Sequence, residues 1–200
     1  MLLVSLLTAP LGLTEPFFIP SYWSPPTLFN LAYKIHFDIE SIIFSFAVGG
    51  ITAVIYEAIF KVKRKKLPNH NQHQSRHRIH AIALASPIVS FLLLFLLTPL
   101  NVIYCAIIAL IIGVIATWYC RPDLLQAMFT GGFLFLIVYF VIFFITFVLL
   151  TPGYIQAVWN FSNISGILIL GVPVEELLFA GSLGAMWSSI YEHFKWYQYS

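Results

Sequence analysis

The sequence predicts an all-α integral membrane protein of about six transmembrane helices, arranged as two parallel, pseudo-symmetric repeats. Three observations carry that expectation. Of its 200 residues, 60% are hydrophobic and only 9% charged, with a mean hydropathy of +0.90, against about 25% charged in a soluble domain. Apolar segments recur at 1–14, 39–60, 79–98, 100–119, 126–150 and 164–187, and about 20 apolar residues cross a bilayer. The segments on either side of the chain's middle also repeat one another. No room remains for a sizeable soluble domain.

The first segment, "MLLVSLLTAPLGL", is short for a span. It lacks a positive stretch ahead of its apolar run, so it reads as a retained first helix rather than a signal peptide. Orientation follows from charge. Lys61, Lys63, Arg64, Lys65, Lys66, Arg76 and Arg78 crowd the loop 61–78, Arg121 lies in a later loop and Lys195 follows the last segment. The positive-inside rule makes these cytoplasmic, with both termini. The loops 15–38 and 151–163 then face outward. They are rich in aromatics, proline and asparagine, and Tyr22, Trp23, Tyr154 and Trp159 fit either an interfacial aromatic belt or the roof of a ligand site. Cys105 and Cys120 lie fifteen residues apart on one expected helix, about 22 Å along its axis, so they cannot pair.

The repeat is gapless. Residues 37–57, "FDIESIIFSFAVGGITAVIYE", align with 172–192, "VPVEELLFAGSLGAMWSSIYE". Glu40 falls on Glu175, Phe44 on Phe179, Gly49 on Gly184, and Ile55-Tyr56-Glu57 on Ile190-Tyr191-Glu192. The chain divides accordingly into a first repeat, 1–98, and a second, 99–200. Four crossings separate the copies, so they run in the same direction. Glu40 and Glu175 then share one depth and face one cavity. Glu57 and Glu192 fall at the cytoplasmic interface, where helical spacing offers Lys61 and Lys195 as ion-pair partners.

A carboxylate inside a span is expensive, so it marks function by default. Glu175 and Glu176 point about 100° apart on a helix. Glu175, the position the repeat keeps, is expected to face the cavity, while Glu176 reaches a neighbouring helix or the roof. Pro173 is expected to free the carbonyl of Ile169 and open the helix above the site. A protonated carboxyl with an ionised partner supplies general acid and base, and surrounding aromatics stabilise a carbocation. The candidate catalytic residues are Glu175, Glu176 and Glu40. Phe179, Phe44, Trp159, Asn160, Tyr154, Trp23 and Tyr22 are candidates for substrate contact, and Pro173, Gly49 and Gly184 for structural roles.

The stretch "VWNFSNISGILILGVPVEELLF", with its Trp-Asn opening, Gly-Ile run and Pro-x-Glu-Glu-x-x-Phe, resembles the signature of the membrane-bound lycopene cyclase domain family. The likeness is strongest over 154–181, moderate over 15–57 and weak between. It is similar to the fused, two-repeat form of that family. The resemblance implies acid-catalysed, non-redox cyclisation of an acyclic carotenoid end group. Glu175 and Glu176 would do the acid–base work and Glu40 would take the matching place in the first repeat. The first copy departs from the motif, lacking the proline and the second glutamate.

The sequence points to no cofactor: no Gly-rich phosphate loop or dinucleotide fingerprint is present. With only Asp38 and Asp123, an aspartate-rich diphosphate site is lacking too. No metal is expected. His70, His73, His77 and His80 have helical spacing, but they read as part of a solvated basic loop. The expected partners are a long-chain carotenoid or other polyisoprenoid and membrane lipid, with no nucleic acid; a homo-oligomer is left open. The rival readings are a polyisoprenoid hydratase or isomerase, which would place polar side chains near Glu175, and a small proton-coupled transporter, which would need a water path.

Overall fold

The computed structural model describes residues 1–35, 37–68, 72 and 75–200. Helix dominates. In chain order the elements are α1 (Leu2–Thr8), continued through a 3₁₀ stretch Ala9–Thr14 into α2 (Glu15–Phe18); α3 (Leu31–Ile35); α4 (Ile39–Phe60); β1 (Arg64–Lys66); α5 (His80–Leu97), entered by a 3₁₀ turn Ser75–Ile79; α6 (Val102–Cys120); α7 (Leu125–Phe143), which widens into a π-helical stretch Phe144–Leu150; α8 (Tyr154–Val158); β2 (Leu168–Ile169); β3 (Val172–Pro173); α9 (Val174–Trp187); α10 (Ile190–Lys195); and β4 (Tyr197–Tyr199).

Among the described residues, four helical segments are long and apolar enough to cross a membrane: Ile39–Phe60, Ser75–Leu97, Val102–Cys120 and Pro122–Leu150. They fall where the apolar runs place them. Two of them start at a capping side chain. Asp38 accepts the Ser41 backbone N–H at 2.6 Å, and Asn101 accepts that of Ile103 at 3.1 Å, the usual work of Asp and Asn at a helix N-terminus. Outward-facing leucines such as Leu96, Leu97 and Leu150 are largely exposed, as lipid-facing side chains are.

The other two expected spans differ. The first is helical from Leu2 to Phe18, shorter than the other four. The last, expected over 164–187, begins as helix only at Val174. Ahead of it the chain makes a small antiparallel hairpin, Leu168–Ile169 against Val172–Pro173, turned through Leu170 and Gly171, both at positive φ. Pro173 therefore caps the start of α9 and does not interrupt a helix. A proline at a helix entrance forfeits no helical hydrogen bond.

α9 sits at the centre, packed by α7, α6 and α4. Small residues make this possible. A Cβ on Gly184 would lie 2.9 Å from that of Phe135 and 3.0 Å from Gly132 Cα. A Cβ on Gly49 would collide with the side chain of Thr8 on α1. Both glycines singled out by the repeat thus lie at close helix crossings. α4 and α9 also begin at aligned positions, Ile39 and Val174, so that Glu40 and Glu175 are each the second residue of their helix. Thr8 also accepts the indole N–H of Trp187 at 2.8 Å, tying α1 to α9.

The basic end is more ordered than a solvated loop. β1 pairs antiparallel with β4, Arg64 opposite Tyr199. Glu57 and Glu192 do not take the Lys61 and Lys195 that helical spacing offered. Both bind Arg64, at 2.8 and 2.6 Å. The reason is local: Lys61 leaves the helix in the left-handed C-cap conformation, and β1 carries Arg64 back between the two helix ends. His77 is buried and His80 half-buried, because Trp196 covers them, stacked on His80 at 4.0 Å and edge-on to His77 at 5.2 Å. His70 and His73 lie outside the described residues.

Candidate active site

The loops 15–38 and 151–163 close over the start of α9. Trp23 and Trp159 form an antiparallel bridge, flanked by Ser24 N–H to the Val158 carbonyl at 2.8 Å and Asn160 N–H to the Tyr22 carbonyl at 2.9 Å. Asparagine side chains pin the same turn: Asn101 and Asn163 donate to the Ser21 carbonyl at 2.8 and 3.2 Å, and Asn160 to that of Pro20 at 3.3 Å. Asn160 therefore holds the roof together.

Beneath this roof lie the two glutamates. Both are buried, Glu175 completely, and they diverge. Glu176 is clasped by three donors. Its Oε1 accepts the Tyr22 hydroxyl at 2.6 Å and the Trp159 indole N–H at 3.1 Å, and its Oε2 accepts the Tyr139 hydroxyl. Glu175 Oε1 accepts the Tyr104 hydroxyl and the Ser165 N–H, each at 2.8 Å. Its Oε2 is buried with no hydrogen-bond partner. Glu176 thus reaches the neighbouring α7 through Tyr139 and the roof through Tyr22 and Trp159, while Glu175 turns to Tyr104 of α6 and to the loop at Ser165.

That shell is built of rings from three parts of the chain. Trp159 meets Trp23 at 5.3 Å, Phe143 at 5.5 Å and Phe147 at 6.1 Å between centroids. Tyr154 stacks on Phe147 at 5.2 Å. The π-helical widening after Phe143 brings Phe144 and Phe147 into this cluster. Tyr22 and Trp159 are almost wholly buried, so they belong to the roof and not to an interfacial belt.

Residues 101–194 match the family model for lycopene cyclase. The chain carries a lycopene cyclase family domain. A search of curated proteins and a search of solved structures each found no match. The cyclase match includes both buried glutamates and their partners Tyr104, Tyr139, Trp159 and Ser165, and links the chain to carotenoid cyclisation. Tyr22 comes from outside it.

Of the residues picked from the sequence, the structure gathers Glu175, Glu176, Tyr22, Trp23, Tyr154, Trp159 and Phe179 at the cyclase domain's aromatic cluster. Phe44 is exposed and touches this region through Tyr139, edge-on at 6.4 Å. Glu40 accepts the Leu28 N–H at 2.6 Å; among the described residues no hydrogen bond joins it to Glu175 or Glu176. Sequence reasoning missed Tyr104 and Tyr139. Each is a tyrosine set in an oily helix, and that isolation was the available signal.

It also missed Glu15. This buried carboxyl lies beside Asp38, Ser41 and Trp23, within electrostatic reach of Glu176. Burial, with the charge of Asp38 next, pushes it from 4.5 up to about 7. A raised carboxyl holds its proton more tightly in the folded state. Its favourable share of stability is therefore full below about pH 4.5 and is lost as pH rises towards 7. Glu15→Gln should remove that decline, a difference of about 3 kcal/mol at pH 7. Thermal unfolding of both proteins in detergent at pH 4.5 and 7.5 checks it; parallel pH profiles would refute the assignment.

Proposed function

We propose that this protein catalyses acid-driven, non-redox cyclisation of an acyclic carotenoid end group inside the membrane. What carries the reading is the buried glutamate pair, Glu176 clasped in an aromatic shell and Glu175 with one oxygen free. Trp159 N–H can only donate, so Glu176 Oε1 must stay an acceptor. A proton held by Glu176 therefore sits on Oε2, shared with the Tyr139 hydroxyl. Delivered to the terminal double bond, it leaves a tertiary cation. The inner double bond attacks that cation and closes the ring. A proton then leaves the new ring to give the β-type alkene. Glu175 Oε2 is the base placed to take it, so one proton enters and one departs. Tyr22, Tyr139, Trp159 and Phe143 offer π-faces to the passing charge.

The substrate is a long hydrocarbon and the helices' outer surface is apolar, so we assign access from lipid. A cavity of about 400 Å³, lined in part by Ser21, Phe95, Leu100, Asn101 and Asn163, adjoins the roof and serves as the mouth. The basic segments fall at the end of the bundle opposite the roof, which supports an orientation with that end and the C-terminus cytoplasmic. The two repeats, 1–98 and 99–200, then share one direction, with catalysis concentrated in the second.

The test is pigment analysis in cells that accumulate lycopene. Expression of the chain should convert lycopene into products with one or two rings, separable by chromatography. Unchanged lycopene beside a well-inserted chain would overturn the reading.

A further inference from the structure

At the opposite end of α9 from the glutamates, three side chains from separate elements converge. His80 is the first residue of α5, Cys120 the last of α6, and His193 lies in α10. One ligand atom from each lies within 4.8 Å of the other two. Cys120 and His193 are completely buried, and Cys120 is a free thiol. Neither ring nitrogen of His193 has a hydrogen-bond partner, and His80 Nδ1 is also buried and unpartnered. Buried polar atoms are almost always paired, and leaving them so is costly. Two imidazoles carrying three unpaired nitrogens, each with one ligand atom close to the same thiol, therefore ask for an occupant.

We propose that His80, Cys120 and His193 bind a zinc ion that clips together the ends of α5, α6 and α10. The donor set is two imidazoles and a thiol with no carboxylate, which suits a borderline-soft cation and not calcium or magnesium. The size fits. A triangle with sides no longer than 4.8 Å has a centre about 2.8 Å or less from each corner. Zinc bonds of about 2.0–2.3 Å need an inward shift of less than about 1 Å per ligand. The surroundings fit as well. Trp196 stacks on His80 and fixes its plane. The neighbouring cation, Arg121, is neutralised by a two-pronged pair with Asp123 at 2.9 and 2.6 Å. Three protein ligands leave the fourth position to water. The place of the site, far from the acid pair, makes the ion structural, and the inference stands independently of the cyclase reading.

The full chain, free of any histidine tag, would be purified in detergent from zinc-supplemented cells and its metal measured by mass spectrometry. About one zinc per chain is expected. Cys120→Ser, which is nearly isosteric, and His193→Gln should each lower that at least about five-fold while eluting as the native chain does. Cobalt added to the metal-stripped protein should give a sulfur-to-metal absorption band that Cys120→Ser lacks. Chelator should lower the thermal midpoint of the native chain and leave that of Cys120→Ser unmoved. A native chain that retains no zinc and binds no cobalt would overturn the proposal. So would equal zinc in all three proteins.

Discussion

Glu176→Gln is expected to lower ring formation by at least about 100-fold, the contribution typical of a positioned general acid, while the protein still folds. The clasp explains both halves. Glutamine keeps the shape of the side chain, and its carbonyl oxygen can take the place of Oε1, accepting from Tyr22 and Trp159. Its amide nitrogen then faces Tyr139. A tyrosine hydroxyl accepts as readily as it donates, so the contact is re-made by rotation of one O–H. Only the Tyr139 O–H and the second amide hydrogen give up an acceptor, a modest cost, yet the acidic proton is gone. Tyr139→Phe is the companion. It removes the partner of Oε2 and leaves the acid, so the loss should be smaller, about ten-fold. Both are read by pigment chromatography, normalised to protein in the membrane. More than a tenth of native activity from Glu176→Gln would sink the assignment of the acid. If Glu175→Gln were then inactive, the acid role would pass to Glu175.

How much of this was legible in the sequence depends on the range of the interaction. The four long helices were readable, because mean hydropathy over some twenty residues decides them and tertiary contacts do not. The segment 164–187 misled for the same reason. Hydropathy counts Ile167, Leu168, Ile169 and Leu170 as span, although Gly166, Leu170 and Gly171 stand at positive φ, where a helix cannot run. The acid pair announced itself as two carboxylates in an oily stretch. Their partners did not, since Tyr22, Tyr104, Tyr139 and Trp159 reach them from four separate places in the chain. Asn160 was picked out for the right loop but a different task, holding the roof. Local spacing failed most clearly where side chains had better distant partners. Glu57 and Glu192 looked satisfied by nearby lysines, and His80 looked solvated. Arg64 in the one case and Cys120, His193 and Trp196 in the other arrive only once β1, α6, α10 and β4 have assembled.

The Arg64 junction carries the largest stability effect expected among simple truncations. Arg64 Nε donates to Glu192 at 2.6 Å and Nη2 pairs with Glu57 at 2.8 Å. Its guanidinium lies 4.8 Å above the centre of the Tyr191 ring. The two acids differ in what they would lose. The Glu57 side chain is 33% exposed, and water can take over its charge; such pairs contribute about 1 kcal/mol or less. The Glu192 side chain is 0% exposed, and its second oxygen already lacks a partner. Arg64→Ala strands that carboxylate, at a cost of about 3–5 kcal/mol. Arg64→Lys should recover only part, because one ammonium cannot span two carboxylates as the planar fork does. Adding Glu192→Gln to Arg64→Ala should return much of the loss, since the stranded charge is what costs, whereas adding Glu57→Gln should return little. Thermal midpoints of the five proteins in one detergent decide it. A midpoint for Arg64→Ala within a degree or two of native would mean that Glu192 finds another partner on its own. Glu57 and Glu192 would then meet at Arg64 without depending on it.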